Sequence, residues 1–311
     1  MDFGDNFLSL TDPRLMPPLD ADVAADPARM RATIERAISM IRGRGTVYVP
    51  PVGDGVCWID VESPLVIPPT ITLHVAHGVK LLPVVQRFFS PPGALVENSL
   101  EIQGGFRAPI GQVFVPPQRF AALAGAARAV AFRLGRIRFA SRSMERVYPE
   151  WWGAGGAGVT GDHDSDALDE AVRTAVHDRY VLRGTSRQWL RPLVLELPGT
   201  YRLARPLLIA RFARRGPDSV EADGGVELRG APGSFEVPTF SCHEAFPSDS
   251  YLLTINGFES STLDEVRFDG ALKGVGQALG CLNYYADTRA KDRANALLPA
   301  SGHLLRRRPT G

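Results

Sequence analysis

The strongest constraint on the fold is a nine-residue pattern that occurs twice around a fixed proline, as IDVESPLVI (59–67) and YRLARPLLI (201–209). In each copy, large apolar or aromatic side chains lie five and three residues before the proline and one and three residues after it. A period of two on both sides of a proline predicts two short strands that meet at a corner and turn the same side chains inward. A chain that repeats such corners is expected to coil around a continuous core.

The order of elements around these corners also repeats. Each copy is preceded by an amphipathic helical pattern, the first capped by Asp26 and the second by Ser165 or Asp166. A β-rich run that ends in proline follows each helix, and an alternating strand follows each corner, at residues 71–75 and 226–230. This order favours a coiled β architecture over a doubly wound sheet.

A glycine pattern between the two copies raises the question of nucleotide binding. Gly153, Gly155 and Gly158 match G-x-G-x-x-G, and an acid follows at Asp178. That fingerprint requires a buried strand that runs into the first glycine and a helix that begins at the last one. Here Pro149 interrupts the strand flank, and the helical pattern begins several residues late. The glycines are therefore predicted to form a turn in front of the helix.

Composition and charge narrow the classes of protein. The formal charge of +1 lacks the basic excess of a general nucleic-acid binder, so no nucleic-acid partner is expected. The three cysteines lie far apart, which predicts neither a disulfide framework nor a CxxC metal clamp. The N-terminal segment carries acids and no long apolar run, so neither a Sec signal nor a membrane span is expected.

Four segments together carry a family resemblance: VYPEWWGAGGAG, VTGDHDSDALDEAV, LVLELPGTYRLARPLLI and GVELRGAPG. They resemble the opening of the pectate lyase superfamily, which includes polygalacturonase-like enzymes and phage tailspike depolymerases. The resemblance covers about residues 97–270, and residues 26–82 more weakly. It implies a mainly β fold, a right-handed parallel β-helix or solenoid with capping α-helices. Members of the family usually continue for more rungs, so two interpretations stay open: a β-helix that is incomplete at its C-terminus, or a short variant with a helical C-terminal cap.

The chain divides into five segments on this basis. Residues 1–25 are an N-terminal extension, 26–96 the first helix-plus-β repeat, 97–147 a short-strand connecting region, 148–270 the start of the β-helix with a capping helix at about 166–182, and 271–311 an atypical tail. The connecting region is predicted to contain strands at 99–103, 112–115 and 129–132.

The resemblance implies a carbohydrate-active protein of the polysaccharide lyase or glycoside hydrolase type that acts on acidic polysaccharide, with a truncated or inactive form of such a protein as an open alternative. Sugar hydrolysis needs an acid and a second carboxylate on opposite sides of one bond, so the catalytic candidates are Asp264, Asp269 and Glu259. No cofactor or metal site is predicted from the residues, although a lyase would use Ca²⁺ to offset the charge of a uronate.

Substrate contact is expected from aromatic and basic side chains. Trp151 and Trp152 would stack on sugar rings, and Arg211, Arg214 and Arg215 would bind uronate carboxylates. A structural alternative stays open for both sets, because the indoles can pack against the helix cap and the arginines can belong to a solvated loop.

The acids around the start of the second helix are expected to be structural. Asp162, Asp164, Ser165 and Asp166 are predicted to cap that helix, which accounts for them without a metal ion at His163. The family's usual acidic position just after the Gly-Ala stretch is a Gly or Ala here.

A second hypothesis for the function is a non-catalytic structural or adhesive module, tailspike-like, which would bind polysaccharide and form a homotrimer as tailspike relatives do. Members of the family are usually extracellular. The enzyme hypothesis predicts an acidic pair about 5–10 Å apart on one exposed β-face. The adhesive hypothesis predicts apolar and Ser, Thr or Asn rows there.

Overall fold

The computed structural model describes residues 6–86, 98–140, 144–155, 163–183, 186–210, 226–230, 237–247, 250–256, 261–269 and 279–282. Strands outnumber helices among them, and most strand pairs are parallel. None of the described helices combines the length and the apolar character needed to cross a bilayer.

In the first half, residues 6–140, the described residues form ten strands and three helices. The strands are β1 Phe7–Ser9, β2 Gly45–Val49, β3 Val56–Asp60, β4 Leu65–Ile67, β5 Ile71–Val75, β6 Lys80–Gln86, β7 Ser99–Ile102, β8 Gly105–Arg107, β9 Phe132–Leu134 and β10 Arg136–Phe139. The helices are α1 Ala21–Ala25, α2 Pro27–Met40 and α3 Pro117–Ala131.

The second half, residues 144–282, begins with β11 Arg146–Val147, a 3₁₀ helix Pro149–Trp152, and α4 Ser165–Val172 followed by a π-helical turn Arg173–His177. An antiparallel hairpin of β12 Tyr180–Arg183 and β13 Ser186–Trp189 comes next. The remaining strands are β14 Val194–Leu197, β15 Thr200–Leu203, β16 Leu207–Ala210, β17 Val226–Gly230, β18 Thr239–Cys242, β19 Leu253–Asn256, β20 Ser261–Asp264, β21 Arg267–Asp269 and β22 Leu279–Leu282.

From β2 onward in the first half and from β14 onward in the second half, every third strand returns to the same sheet, while β1 joins β2 and β11 joins β14 at the start of each half. In the second half the sheets are β11–β14–β17–β20, β15–β18–β21 and β16–β19–β22, and all of their pairs are parallel. In the first half they are β1–β2–β5–β8, β3–β6–β9 and β4–β7–β10, in which only the β6–β9 pair is antiparallel. The chain therefore visits three sheets in turn and adds one strand to each.

The core follows the repeated proline pattern. All eight predicted inward side chains are buried, with exposures of 0–2%: Ile59, Val61, Leu65 and Ile67 in the first copy, and Tyr201, Leu203, Leu207 and Ile209 in the second. Strand boundaries at both prolines place the expected corners between β3 and β4 and between β15 and β16. The sequence prediction of two equivalent corners is confirmed.

Helix α2 forms where the sequence predicts it. The Asp26 carboxylate accepts hydrogen bonds from the backbone N–H groups of Ala28 and Arg29 at 3.0 and 3.1 Å, which satisfies two donors that have no partner within the helix. The helix buries Met30 and Ile34 on its inner face.

Several local predictions are wrong. The second helix is shorter than 166–182, because Tyr180 already pairs with Trp189 in the hairpin. Residues 112–115 form no strand, since the N–H groups of Val113 and Phe114 bond to the Trp151 carbonyl instead. Residues 129–131 end α3, whose alanine-rich sequence favours a helix.

The C-terminal segment also differs from the prediction. Residues 261–269 form two short strands, β20 and β21, because Glu265 turns the chain between them with a φ of 53°. The segment 271–311, expected to lose strand character, contributes β22, which pairs in parallel with β19.

A buried group of polar side chains joins the two halves. Arg138 on β10 is 0% exposed and donates to the Glu101 carboxylate and to the Tyr180 carbonyl, both at 2.7 Å. Its guanidinium lies 4.0 Å from the centre of the Tyr180 ring. Arg179 donates to the Phe139 carbonyl, and burial lowers the pKa of Arg179 to about 10. We call Glu101, Arg138, Arg179 and Tyr180 the polar seam.

Adjacent leucines on β16 test the assignment of inward and outward positions. Leu207 is 1% exposed and Leu208 is 49% exposed. We expect Leu207→Ala to lower the free energy of unfolding by roughly 2–5 kcal/mol, because it leaves a cavity in the core. Leu208→Ala is the matched control and should change it by less than about 0.5 kcal/mol. Equal denaturation midpoints for the two variants would contradict the assignment.

The polar seam predicts strong coupling between Arg138 and Glu101. Arg138→Met should cost about 3–5 kcal/mol, because it leaves the Glu101 carboxylate buried without its cation. The double variant with Glu101→Leu should regain a large part of that loss. Urea unfolding of both single variants and of the double variant measures the coupling, and additive losses would show that the pair is not coupled.

Candidate functional site

The strand order separates the catalytic candidates. Asp264 ends β20, in the sheet β11–β14–β17–β20, whereas Asp269 ends β21, in the sheet β15–β18–β21. Glu259 lies outside the described residues, as do Arg211, Arg214, Arg215 and Asp162. The two described aspartates therefore do not share one sheet face.

The outer face of the sheet β11–β14–β17–β20 carries a row of polar side chains. Parallel register places Leu195 beside Leu228 in the core, and the next residue of each strand points outward. Those outward residues, with Tyr148 just after β11, form a row of Tyr148, Glu196, Arg229 and Asp264. We call it the charged row.

Glu196 is the most enclosed member of the charged row. Its carboxylate accepts from Arg146 Nη1 at 2.7 Å and from the Tyr148 hydroxyl at 3.2 Å, and its side chain is 5% exposed. Burial is the main reason that the pKa of Tyr148 is raised, and the nearby Glu196 carboxylate raises it further. The charge of the Glu196 carboxylate is thus paired with that of Arg146, and the carboxylate is shielded from solvent.

Arg229 and Asp264 are the accessible members. The Arg229 guanidinium bonds to the Glu227 carboxylate on the same strand, and its Nε lies 3.9 Å from Asp264 Oδ2. Their side chains are 44% and 56% exposed. Strands in a sheet lie about 4.8 Å apart, so Glu196 and Asp264 are roughly 10 Å apart with an arginine between them. This spacing suits hydrogen bonding to a ligand better than paired acid–base catalysis.

The two tryptophans cannot stack on a sugar in this structure. Trp151 is 3% exposed and Trp152 2% exposed, and the Trp151 indole N–H donates to the Pro109 carbonyl at 3.1 Å. Their rings pack against the first half, where Trp151 meets Phe106 edge to face at 5.1 Å and Trp152 meets Phe114 at 5.2 Å. The substrate-stacking prediction is therefore wrong for both residues, and the packing alternative describes them.

The predicted cap residues bind other parts of the chain. Asp164 stands at the N-cap position of α4 but makes no hydrogen bond to the helix's own N–H groups. Its carboxylate instead accepts from the N–H groups of Gly155 and Arg202 at 2.9 and 2.7 Å.

The next two side chains behave in the same way. Ser165 Oγ accepts from the Ala204 N–H at 2.9 Å, and the Asp166 carboxylate accepts from Arg205 at 2.7 Å. These residues therefore tie α4 to the corner between β15 and β16, which differs from the expected helix capping.

Sequence patterns do not single out Glu150 as an ionisable group of interest. Glu150 is 8% exposed, and its Oε1 accepts a 2.7 Å hydrogen bond from the Tyr201 hydroxyl. Burial raises the pKa of Glu150 to about 7, and the nearby Asp164 carboxylate adds to this effect. Its Oε2 has no hydrogen-bond partner among the described residues. PEWW and PGTY, recognised as separate motifs, meet at this hydrogen bond.

Within the described part of the chain, no group of three or more His, Cys, Asp or Glu side chains is arranged to hold a metal ion. Compared with known proteins, the chain matches no family model, no curated protein and no solved structure. Function is therefore inferred from the geometry of the described residues.

Glu150 predicts a specific pH dependence of stability. A carboxyl whose folded pKa is raised from 4.5 to about 7 stabilises the fold fully below pH 4.5, and this contribution is lost as the pH rises towards 7. We expect wild-type stability to fall by about 1–3 kcal/mol across this range because of Glu150. Glu150→Gln should remove that part of the slope, as measured by urea unfolding at several pH values.

The matched control is Glu145→Gln, which changes an exposed glutamate five residues away. It should keep the wild-type slope. A Glu150→Gln profile that stays parallel to wild type from pH 4.5 to pH 8 would show that Glu150 ionises normally.

Proposed function

We propose that this chain is a polysaccharide-binding right-handed parallel β-helix and that the charged row contacts the sugar. The cyclic order of the three sheets and the parallel pairing of their strands support the β-helix. Right-handed connections between parallel strands are the rule in proteins, because the strand twist favours them. The proposed partners are extracellular polysaccharides, the class that the family resemblance implies.

The arrangement of the charged row is the observation that carries this proposal. One outward side chain per strand lies on a line that crosses the strands at intervals of about 4.8 Å. A pyranose ring in a linear polysaccharide has a similar length, so a sugar chain laid across the strands would meet one of these side chains per residue. Guanidinium groups donate to hydroxyl oxygens, and carboxylates accept from hydroxyl groups.

The charge of the face indicates which sugars it suits. Two arginines and three carboxylates lie on it: Arg146, Arg229, Glu196, Glu227 and Asp264. This nearly balanced set would repel a dense polyanion at Asp264, its most exposed acid. We therefore propose that the charged row binds hydroxyl-rich, neutral or sparsely charged polysaccharide.

Hydrolysis is the second candidate function, because Asp264 and Glu196 point to the same side of one sheet. Retaining enzymes place their carboxyl groups about 5 Å apart and inverting enzymes roughly 6.5–9.5 Å apart. The strands that carry this pair are roughly 10 Å apart, just beyond this range, with Arg229 between the two acids and Glu196 enclosed by Arg146 and Tyr148. We propose binding without cleavage.

Alanine substitution of Arg229 tests the proposal. In a panel of neutral and sparsely charged bacterial polysaccharides, we expect at least one to bind the purified chain. Arg229→Ala should weaken that binding about tenfold, since a hydrogen bond to a charged group contributes roughly 1.5–3 kcal/mol. Arg267→Ala is the matched control, because Arg267 is exposed on the neighbouring sheet.

The same preparations test for cleavage. We expect no release of reducing ends and no absorbance of unsaturated uronates. Binding that is equal in Arg229→Ala and Arg267→Ala, or absent across the panel, would overturn the binding proposal. Turnover that Asp264→Asn abolishes would establish the hydrolytic alternative instead.

A further inference from the structure

The first half contains a cleft between helices α1 and α3, with strand β3 as its floor. Its volume is about 410 Å³, which is within the range of small-molecule binding sites. The buried side chains of Val56 and Trp58 form the floor, and Ala21 and Leu123 are exposed at the sides. Phe120 meets the Trp58 ring edge to face at 5.9 Å and holds the indole in place. The cleft is therefore a preformed and mainly apolar surface.

Arg128 on α3 is one of two charged residues that line the cleft. Its guanidinium lies 4.4 Å from the centre of the Trp58 ring, and its Nη2 donates to the Ala25 carbonyl on α1 at 3.2 Å. Among the residues that the structure describes, no carboxylate lies within ion-pair distance of this guanidinium. Its remaining N–H groups are thus available to an anion in the cleft.

Asp54 is the other charged residue of the lining. It lies between Gly53 and Gly55, whose φ values of 55° and 77° form the tight turn before β3. Its Oδ1 accepts from the Val56 N–H at 3.0 Å, and the residue is exposed. No cation in the described part of the chain pairs with it. The turn therefore fixes the carboxylate and leaves its second oxygen open to a ligand.

The geometry of β3 separates these two charges. Val56 and Trp58 lie on the same face of the strand, about 7 Å apart along it. Asp54 is bonded to the backbone of Val56. Arg128 lies over Trp58, so the acid and the cation are at opposite ends of the floor and do not pair with each other. Since an anion is repelled at one end and a cation at the other, the cleft suits a ligand that carries both charges on an apolar body.

We propose that this cleft binds an apolar dipeptide with free termini. An extended chain spans about 3.3–3.6 Å per residue, so two residues place the ammonium and the carboxylate about 7 Å apart. That separation matches the floor of the cleft, whereas a single amino acid carries both charges on one carbon. The ammonium bonds to Asp54 and the carboxylate to Arg128, both through charge-assisted hydrogen bonds, while the apolar side chains pack against the floor. The cleft shares no residue with the charged row, so this proposal and the proposed function can fail separately.

Four ligands test the two charges and their spacing. They are L-leucyl-L-leucine, its N-acetyl form without the ammonium, its C-terminal amide without the carboxylate, and L-leucine. Titration calorimetry of the full chain at neutral pH and low salt should show binding of leucyl-leucine. Each blocked dipeptide should bind about fivefold more weakly, because it loses one exposed ion pair. L-Leucine should also bind more weakly than leucyl-leucine, because it cannot reach both charges at once.

Substitutions that remove a charge assign each terminus to its partner. Asp54→Asn keeps an oxygen for the Val56 N–H. It should weaken the binding of leucyl-leucine about fivefold but should not weaken that of the N-acetyl form, which has no ammonium. Arg128→Gln should likewise weaken the binding of leucyl-leucine but not that of the amide, which has no carboxylate. A change in the shape of the cleft would instead weaken the binding of both ligands in a pair.

Asp22→Asn is the matched control. Asp22 is exposed on α1 beside Ala21 and does not line the cleft. Its substitution should leave all four affinities unchanged. Thermal unfolding confirms that each variant is folded.

Three results would overturn the proposal. The first is no binding of leucyl-leucine by the wild-type chain at millimolar concentration. The second is an affinity for leucyl-leucine that is no higher than that for its blocked forms or for L-leucine. The third is an Asp54→Asn variant that loses affinity for leucyl-leucine and for its N-acetyl form equally, which would show that Asp54 shapes the cleft without binding an ammonium.

Discussion

The register of the parallel strands is the constraint on which the rest of this structure depends. Backbone hydrogen bonds between neighbouring strands fix which residue lies beside which, so one inward residue stacks on the next. Tyr201, Phe240 and Phe268 show this in the core, where their rings follow one another at 5.5 and 5.7 Å. The same register aligns the outward residues, and a one-residue slip would exchange the core with the surface.

Sequence patterns predicted the inside of the molecule better than its surface. A period of two around Pro64 and Pro206 was enough to identify eight core positions, because burial needs only apolar side chains at the right spacing. Helix α3 was missed, although Pro117 and the alanines after it favour a helix, because short apolar runs such as 129–132 also resemble strands.

The candidate site was hard to predict because it depends on contacts between distant parts of the chain. The enclosure of Glu196 requires Arg146 and Tyr148, which lie about fifty residues away in the sequence. The burial of Trp151 and Trp152 likewise requires aromatic residues of the first half. A tryptophan that stacks on a sugar and a tryptophan buried in the core are the same residue in a sequence. Only the residues that surround it in the fold distinguish the two roles.

The polar seam has a consequence for how the two repeats can exist apart. The sequence predicts two copies of one helix-plus-β repeat. Arg138, the partner of Glu101, nevertheless donates to the Tyr180 carbonyl in the second half and lies over the Tyr180 ring. A fragment ending before residue 144 would leave the Arg138 guanidinium facing water where it now meets protein. This fragment and a second one that contains the rest of the chain, made separately, should therefore reassemble when mixed. The duplicated pattern would then behave as a single unit of folding.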